Sequence, residues 1–261
     1  MKLKTVLLAA ATLGLMASTQ AFADIKFGVA AEPYAPFTSK DASGKWVGWE
    51  VDLMNALCAD IKEKCSIEEV AWDGIIPALQ AKKFDAIMSS MSITPERAKT
   101  INFSDMYYNS AAVLIGPKSD DKDFSPDHLK GKNVGVQVST THAAYIAKYY
   151  EPKGAVVKTY ATQDEANADL AAGRLDYVMA DGVALQAFID TDQGKCCEVK
   201  GAVPIDIDVL GPGVGFGIRK DDAALLEKLN KGIHDLADAG TFPKITTTWK
   251  LDGLVETPKK K

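Results

Sequence analysis

The run Ile87-Met88-Ser89-Ser90-Met91-Ser92-Ile93-Thr94-Pro95-Glu96-Arg97 leaves an apolar stretch and delivers three serine hydroxyls and one guanidinium within a few residues. Thr94 followed by Pro95 marks an N-cap and a first helical residue. Arg97 then lies early in that helix, close to backbone N–H groups that have no intrahelical partner. A carboxylate arriving there gains a bidentate fork and a helix N-terminus together. Hydroxyls beside such a fork suit the charged end of an α-amino acid, which points to binding before any reaction. The competing reading of Arg97 is a surface ion pair with Glu96 or a neighbouring acid.

Other residues in the chain complement that run. Ser139-Thr140-Thr141 opens a later helix and can hold the same carboxylate from the opposite side, although ordinary N-capping accounts for such a run as well. Asp181 follows an apolar strand and precedes Gly182, which suits a carboxylate at a strand tip facing an ammonium, or the N-cap of the next helix. Tyr34 and Trp72 would wall a side chain on two sides and attract it if it is cationic, or pack into the core. Glu32 and Glu50 stand near the same wall and would neutralise a distal cation. The three His and four Cys residues lack the paired spacing of a zinc site, so neither metal nor cofactor is expected.

These groups need a scaffold, and the pattern supplies one. Short apolar runs alternate with helical periodicity, the signature of βαβ units and mainly parallel sheets, hence an α/β fold. A strand is expected over residues 25–29, a helix over 49–64, and a helix carrying Ile75, Ile76 and Leu79 that Asp73 caps. A strand over 85–88 feeds the serine run. A second series follows, with strands over 133–138, 155–160 and 176–180 and helices over 141–150 and 164–172. A Gly-rich strand over 213–218, a long amphipathic helix over 223–239, a helix over 243–249 and a disordered Lys-rich tail end the chain. Ligands in open α/β sheets lie beyond the carboxyl ends of strands. The candidate residues fall at such ends in both halves, which implies a cleft between two lobes.

Lys2 and Lys4 precede an apolar run from Val6 to Met16 and then Ala21-Phe22-Ala23, the layout of a secretory signal peptide cleaved before Asp24. Its loss takes the formal charge from −5 to about −7, and so acidic a surface argues against nucleic acid as a partner. Export makes the four cysteines disulfide-permissive. Cys58 and Cys65 suit a structural bridge closing a short loop, worth about 2–3 kcal/mol. Adjacent Cys196 and Cys197 allow a vicinal disulfide, two thiols, or a link to another chain.

The motifs Tyr34-Ala35-Pro36-Phe37, Gly48-Trp49-Glu50-Val51-Asp52-Leu53, Ser89-Ser90-Met91-Ser92-Ile93-Thr94, Ala172-Gly173-Arg174-Leu175-Asp176 and Gly213-Val214-Gly215, in this order and spacing, resemble the extracytoplasmic solute-binding proteins of polar amino-acid ABC importers. The lysine/arginine/ornithine- and histidine-binding branch is the most similar. The resemblance covers essentially the whole chain after the leader. It implies the two-lobe periplasmic-binding-protein fold of type II, with a ligand cleft between lobes joined by two crossing strands. Residues 24–111 and 204–261 would form lobe 1, and 112–203 lobe 2. It also implies a monomer in the periplasm that delivers its ligand to membrane permease subunits.

Carried over by residue, the resemblance gives Arg97 the ligand carboxylate, with backbone donors at Ser92 and Thr141. It gives the α-ammonium to Ser90, Ser92 and Asp181. Tyr34 and Trp72 become the aromatic walls, and the Cys58–Cys65 pair matches the family's disulfide. Glu32 stands where basic-amino-acid binders commonly carry Asp. Ser89, Gln137, Thr140 and His142 complete the expected ligand set, and His142 replaces an amide with a titratable ring. A basic amino acid such as arginine, lysine, ornithine or histidine is the expected ligand. Two alternatives stand beside it: an opine-type amino-acid derivative, and an enzyme resembling cyclohexadienyl dehydratase on the same fold.

Overall fold

The computed structural model describes residues 24–260. The expected leader and its cleavage point after residue 23 lie outside them. The chain opens with β1 (Asp24–Ala30), a hairpin of β2 (Ser39–Lys40) and β3 (Trp46–Val47), and α1 (Trp49–Asp60). Next come β4 (Lys64–Val70), α2 (Ile75–Gln80), β5 (Ala86–Ile87), α3 (Pro95–Ala98) and β6 (Asn102–Phe103). A second block holds β7 (Ala112–Pro117), β8 (Asn133–Gln137), α4 (Thr141–Tyr149), β9 (Val156–Tyr160), α5 (Gln163–Ala171), β10 (Tyr177–Asp181), α6 (Gly182–Ile189) and β11 (Cys197–Ala202). The chain returns through α7 (Ile207–Leu210), β12 (Gly217–Ile218), α8 (Ala223–Asp238) and α9 (Thr241–Thr248).

The strands build two five-stranded sheets, ordered β4-β1-β5-β12-β6 and β11-β7-β10-β8-β9. Within the first, β1 is parallel to β4 and β5, and within the second β8 is parallel to β9 and β10. The antiparallel strands are those by which the chain enters a sheet after crossing: β7 runs against β10 and β11, and β12 against β5 and β6. Helices α1 and α8 cover the first sheet through Leu53, Leu57, Leu229 and Ile233, all essentially without exposure. Each such side chain contributes about 1.5–3 kcal/mol by leaving water. The second sheet has two cores, one carrying Tyr145 and Ile146 of α4, the other Ala166, Leu170 and Leu185 of α5 and α6.

Several local expectations are corrected. Helix α1 stops at Asp60, short of residue 64, because the chain turns through left-handed Lys62 (φ 58°) and Cys65, on β4, bonds back to Cys58. Strand β4 escaped the apolar pattern because Lys64, Glu68 and Glu69 interrupt it. It is an edge strand, where charged side chains reach water. Gly74, rather than Asp73, occupies the N-cap of α2, since residues 72–74 form a short 3₁₀ turn ahead of it. The Gly-rich strand shrinks to Gly217–Ile218, although Val214 still bridges to Ser92 and Tyr108. Cys196 and Cys197 are joined to each other, the first of the three options their adjacency allowed. No described helix is long and apolar enough to cross a membrane.

Two segments cross between the sheets side by side, held by the Tyr108–Val214 bridge. After β11 the chain still leans on the second block: Tyr145 Oη donates to the Pro204 carbonyl (2.9 Å), and Lys148 pairs with Asp206 (2.6 Å). Contact with the first block resumes where Ile93 N donates to the Gly213 carbonyl (2.8 Å). Gly211, at φ 80°, makes that return possible, because a Cβ there would stand 2.0 Å from the Ile93 carbonyl oxygen. The C-terminal stretch is anchored at Glu256, which exchanges two backbone hydrogen bonds of 2.8 Å with Asn109 on the first crossing.

A candidate ligand cleft between the lobes

The floor of the cleft is the turn after β5. Ser89 Oγ accepts from Ala30 N (3.0 Å) and ties the turn to the end of β1. Ser90 adopts a left-handed conformation (φ 50°), which L-residues visit at a cost and which persists only where the surroundings fix it. Glu50 supplies that fixation: Oε1 accepts from Ser90 N (2.8 Å) and Oε2 from Ser90 Oγ (3.1 Å). Tyr107 Oη donates to Oε1 as well. Glu50 is completely buried, and burial pushes its pKa up to about 6 against the opposing hydrogen bonds from Tyr107 and Ser90. It therefore lies beneath the cleft and does not line it, which corrects the expectation that it faces a distal cation.

Thr94 caps α3 as the sequence implied, its Oγ1 accepting from Arg97 N (3.2 Å). The Arg97 guanidinium donates from Nη1 to the Ser92 carbonyl (2.9 Å) and from Nη2 to the Ser139 carbonyl (3.1 Å). Its central carbon lies 5.4 Å from the Trp72 ring centroid, within cation–π range. Glu96 pairs with Lys99 instead, so the surface ion-pair reading of Arg97 falls. Burial lowers the Arg97 pKa to about 10, opposed by Asp181, and the group stays cationic at neutral pH.

The opposite wall comes from the second block. Thr140 caps α4 by accepting from Ala143 N (3.1 Å) and donates to the Gln137 carbonyl (2.7 Å). Thr141 Oγ1 lies 3.5 Å from Ser92 Oγ, and Ser139, like Ser90, is a left-handed non-glycine residue (φ 60°). Asp181 does occupy the N-cap position of α6, but its carboxylate makes no capping bond. Instead Oδ2 accepts from Tyr34 Oη (2.7 Å) and Oδ1 from Ser110 Oγ (3.1 Å). His142 is buried with Nε2 3.8 Å from Asp181 Oδ1. Burial lowers its pKa, Asp181 opposes that, and Arg97 adds to it.

Hydrogen bonds join the blocks across the cleft: those from Tyr34 to Asp181 and from Arg97 to Ser139, Trp72 Nε1 to the Val138 carbonyl (3.0 Å), Gln137 Nε2 to Glu32 Oε1 (3.3 Å), and the Ser92–Thr141 hydroxyl pair. Glu32 Oε1 also accepts from Trp72 N (3.0 Å). The conformation is thus a closed one. Between them the closed lobes leave a pocket that opens to one side. Glu32, Tyr34, Trp72, Ser89, Ser90, Ser92, Arg97, Gln137, Thr140, Thr141, His142 and Asp181 all border it. Gln163, which borders it too, carried no sequence signal, since Gln is ordinary in a first helical turn. Ser110 was equally silent, and its contact with Asp181 exists only because the first crossing passes the tip of β10.

A fixed cation from one block and a carboxylate from the other, with aromatic rings and a further acid between them, can clamp a zwitterion whose side chain is basic. Comparison with known proteins agrees with that geometry. Residues 25–252 match the bacterial extracellular solute-binding proteins, family 3. The lysine/arginine/ornithine-binding periplasmic protein of Escherichia coli (strain K12) is 43% identical over 213 residues, 81% of this chain and 82% of its own length. An ancestral arginine-binding protein bound to arginine superposes with a TM-score of 0.80 at 33% identity, covering 87% of this chain and 97% of that one. An ancestral amino acid-binding protein, a precursor of cyclohexadienyl dehydratase, gives 0.74 at 33% identity, covering 87% and 94%. Two sheet-bearing lobes, a cleft between them and a match over nearly the whole described chain lead to one assignment: this chain belongs to the bacterial extracellular solute-binding proteins, family 3, and has their type II two-lobed fold.

Proposed function

We propose that this protein is the substrate-binding component of an ABC importer, which captures an α-amino acid with a basic side chain and delivers it to the membrane permease. One observation carries the reading: Arg97 and Asp181, of opposite charge, border the same cleft from different lobes. The ligand carboxylate goes to Arg97 with Ser92 and Thr141, and the α-ammonium to Asp181 with Ser90 and Ser92. The side chain lies between Tyr34 and Trp72, and its distal cation meets Glu32, with Gln137 and His142 beside it. Lobe 1 comprises residues 24–111 and 204–261, and lobe 2 residues 112–203, with the start of the second lobe-1 segment, 204–210, packed against lobe 2. The free protein samples open forms by motion at the two crossings, and a ligand favours closure only through its contacts with both lobes. The closed shape is what the permease reads. The protein acts in the periplasm after losing residues 1–23.

The site binds without turnover. Glu32 and Asp181, the cleft carboxylates, are engaged in hydrogen bonds that position the lobes. A thermal-shift panel of the common amino acids and opines, followed by calorimetry on the hits, tests the reading. Stabilisation by arginine, lysine, ornithine or histidine is expected. A panel in which no amino acid shifts the transition, while a prephenate-like acid is consumed, would overturn it in favour of catalysis.

A further inference from the structure

The carboxylate beneath the cleft is fully buried. Among the described residues no Lys, Arg or His pairs with Glu50. The titratable groups acting on it or feeling its charge are Tyr107, Tyr108, Tyr34 and Asp181, which are hydroxyls or another acid. Burying a lone carboxylate is costly unless hydrogen bonds compensate for the lost water. Three of them are in place, and two of the three converge on one residue of the cleft floor, Ser90.

A hydroxyl carries one proton and two lone pairs, whereas an ionised carboxylate only accepts. Because Ser90 Oγ donates down to Glu50 Oε2 (3.1 Å), its proton is committed away from the cleft and its lone pairs are what a ligand can meet. The bond from Ser90 N to Oε1 (2.8 Å), together with the left-handed backbone at φ 50°, fixes the rotor that presents them. We infer that Glu50 is a positioning residue that holds Ser90 as a hydrogen-bond acceptor toward the cleft, and so selects a ligand with an α-ammonium over one with an acceptor at that atom. The inference rests on the amino-acid reading above and assigns Glu50 a role exercised wholly through Ser90.

The substitution Glu50→Gln inverts the arrangement with little change in volume. The amide oxygen can still accept from Ser90 N and Tyr107, while the amide nitrogen donates to Ser90 Oγ and turns the serine proton into the cleft. The test is calorimetry on the mature protein with arginine and with its α-hydroxy analogue, 2-hydroxy-5-guanidinopentanoate. Glu50→Gln should weaken arginine by on the order of 10- to 100-fold, the scale of a hydrogen bond to a charged group. The hydroxy acid, which can accept as well as donate, should change by much less, so the preference collapses. In a Ser90→Ala background, Glu50→Gln should leave the preference where Ser90→Ala put it.

Should Glu50→Gln fail to fold, the wild type carries the same test. Its preference for arginine over the hydroxy acid should fall as pH drops through about 6, and Ser90→Ala should abolish that dependence. A preference for arginine that survives Glu50→Gln unchanged, or that is flat across this pH range, overturns the inference while leaving the amino-acid reading intact. Wild-type protein that takes up no amino acid overturns both.

Discussion

Tyr34 and Asp181, 147 residues apart, meet across the cleft: the tyrosine hydroxyl donates to Asp181 Oδ2 at 2.7 Å. Asp181 is also the acceptor proposed for the ligand's ammonium. An ionised carboxylate offers about four lone-pair positions, and Tyr34 with Ser110 takes two, so the ammonium can arrive without evicting either. The contact therefore supports the closed form with or without ligand.

Removing that hydroxyl should open the empty protein. A hydrogen bond to a charged group is worth about 1.5–3 kcal/mol, so Tyr34→Phe should move the ligand-free equilibrium toward open forms by roughly tenfold or more. Small-angle scattering of the ligand-free variant should give a larger radius of gyration than wild type, and saturating ligand should bring the two together. Matching ligand-free profiles would deny the contact this role.

Glu32 should act on one class of ligand. Its Oε1 holds Trp72 N and Gln137 in place, and its charge faces the variable end of the pocket. Glu32→Gln should weaken lysine and arginine by about tenfold, the scale of one charge-assisted contact, with a smaller effect on any neutral amino acid that binds. Equal losses for neutral and basic ligands would reduce Glu32 to a brace for Trp72.

The same buried Glu50 that shapes the floor should limit stability at neutral pH. Its pKa is raised from 4.5 to about 6 by burial, so the native state keeps the proton to higher pH than the unfolded chain does. The stability this confers is complete below the unfolded pKa and is lost as pH rises through the folded one, about 2 kcal/mol in all. Glu50→Gln cannot ionise and should keep it. The difference in unfolding free energy between variant and wild type should therefore shift by about 2 kcal/mol in the variant's favour between pH 4 and pH 7. A difference that stays constant with pH would mean that Glu50 does not titrate in this range.

Much of the site was legible because its chemistry is local in the chain. Thr94, Pro95 and Arg97 declare a capped helix within four residues, and Thr140 does the same for α4, as both caps show. Tyr34 and Asp181 were legible as strand-end residues, since strand ends converge in α/β folds. Their hydrogen bond was not, because nothing near either residue encodes the other. Glu50 shows the limit most clearly: a glutamate in an apolar helix looks like a cleft acid until Tyr107, 57 residues away, is seen to cover it. Strand β4 and the end of α1 were hidden for a related reason, edge position and a cross-link being properties of the assembled sheet.

The central claim, that one zwitterion bridges Arg97 and Asp181 across two lobes, is tested most directly by calorimetry of the best-binding amino acid with wild type and Arg97→Ala. A buried carboxylate stripped of its charged partner loses about 3–5 kcal/mol, so binding should weaken by two to four orders of magnitude and fall near or below detection. Near-normal affinity in Arg97→Ala would contradict the claim and place the ligand's carboxylate elsewhere.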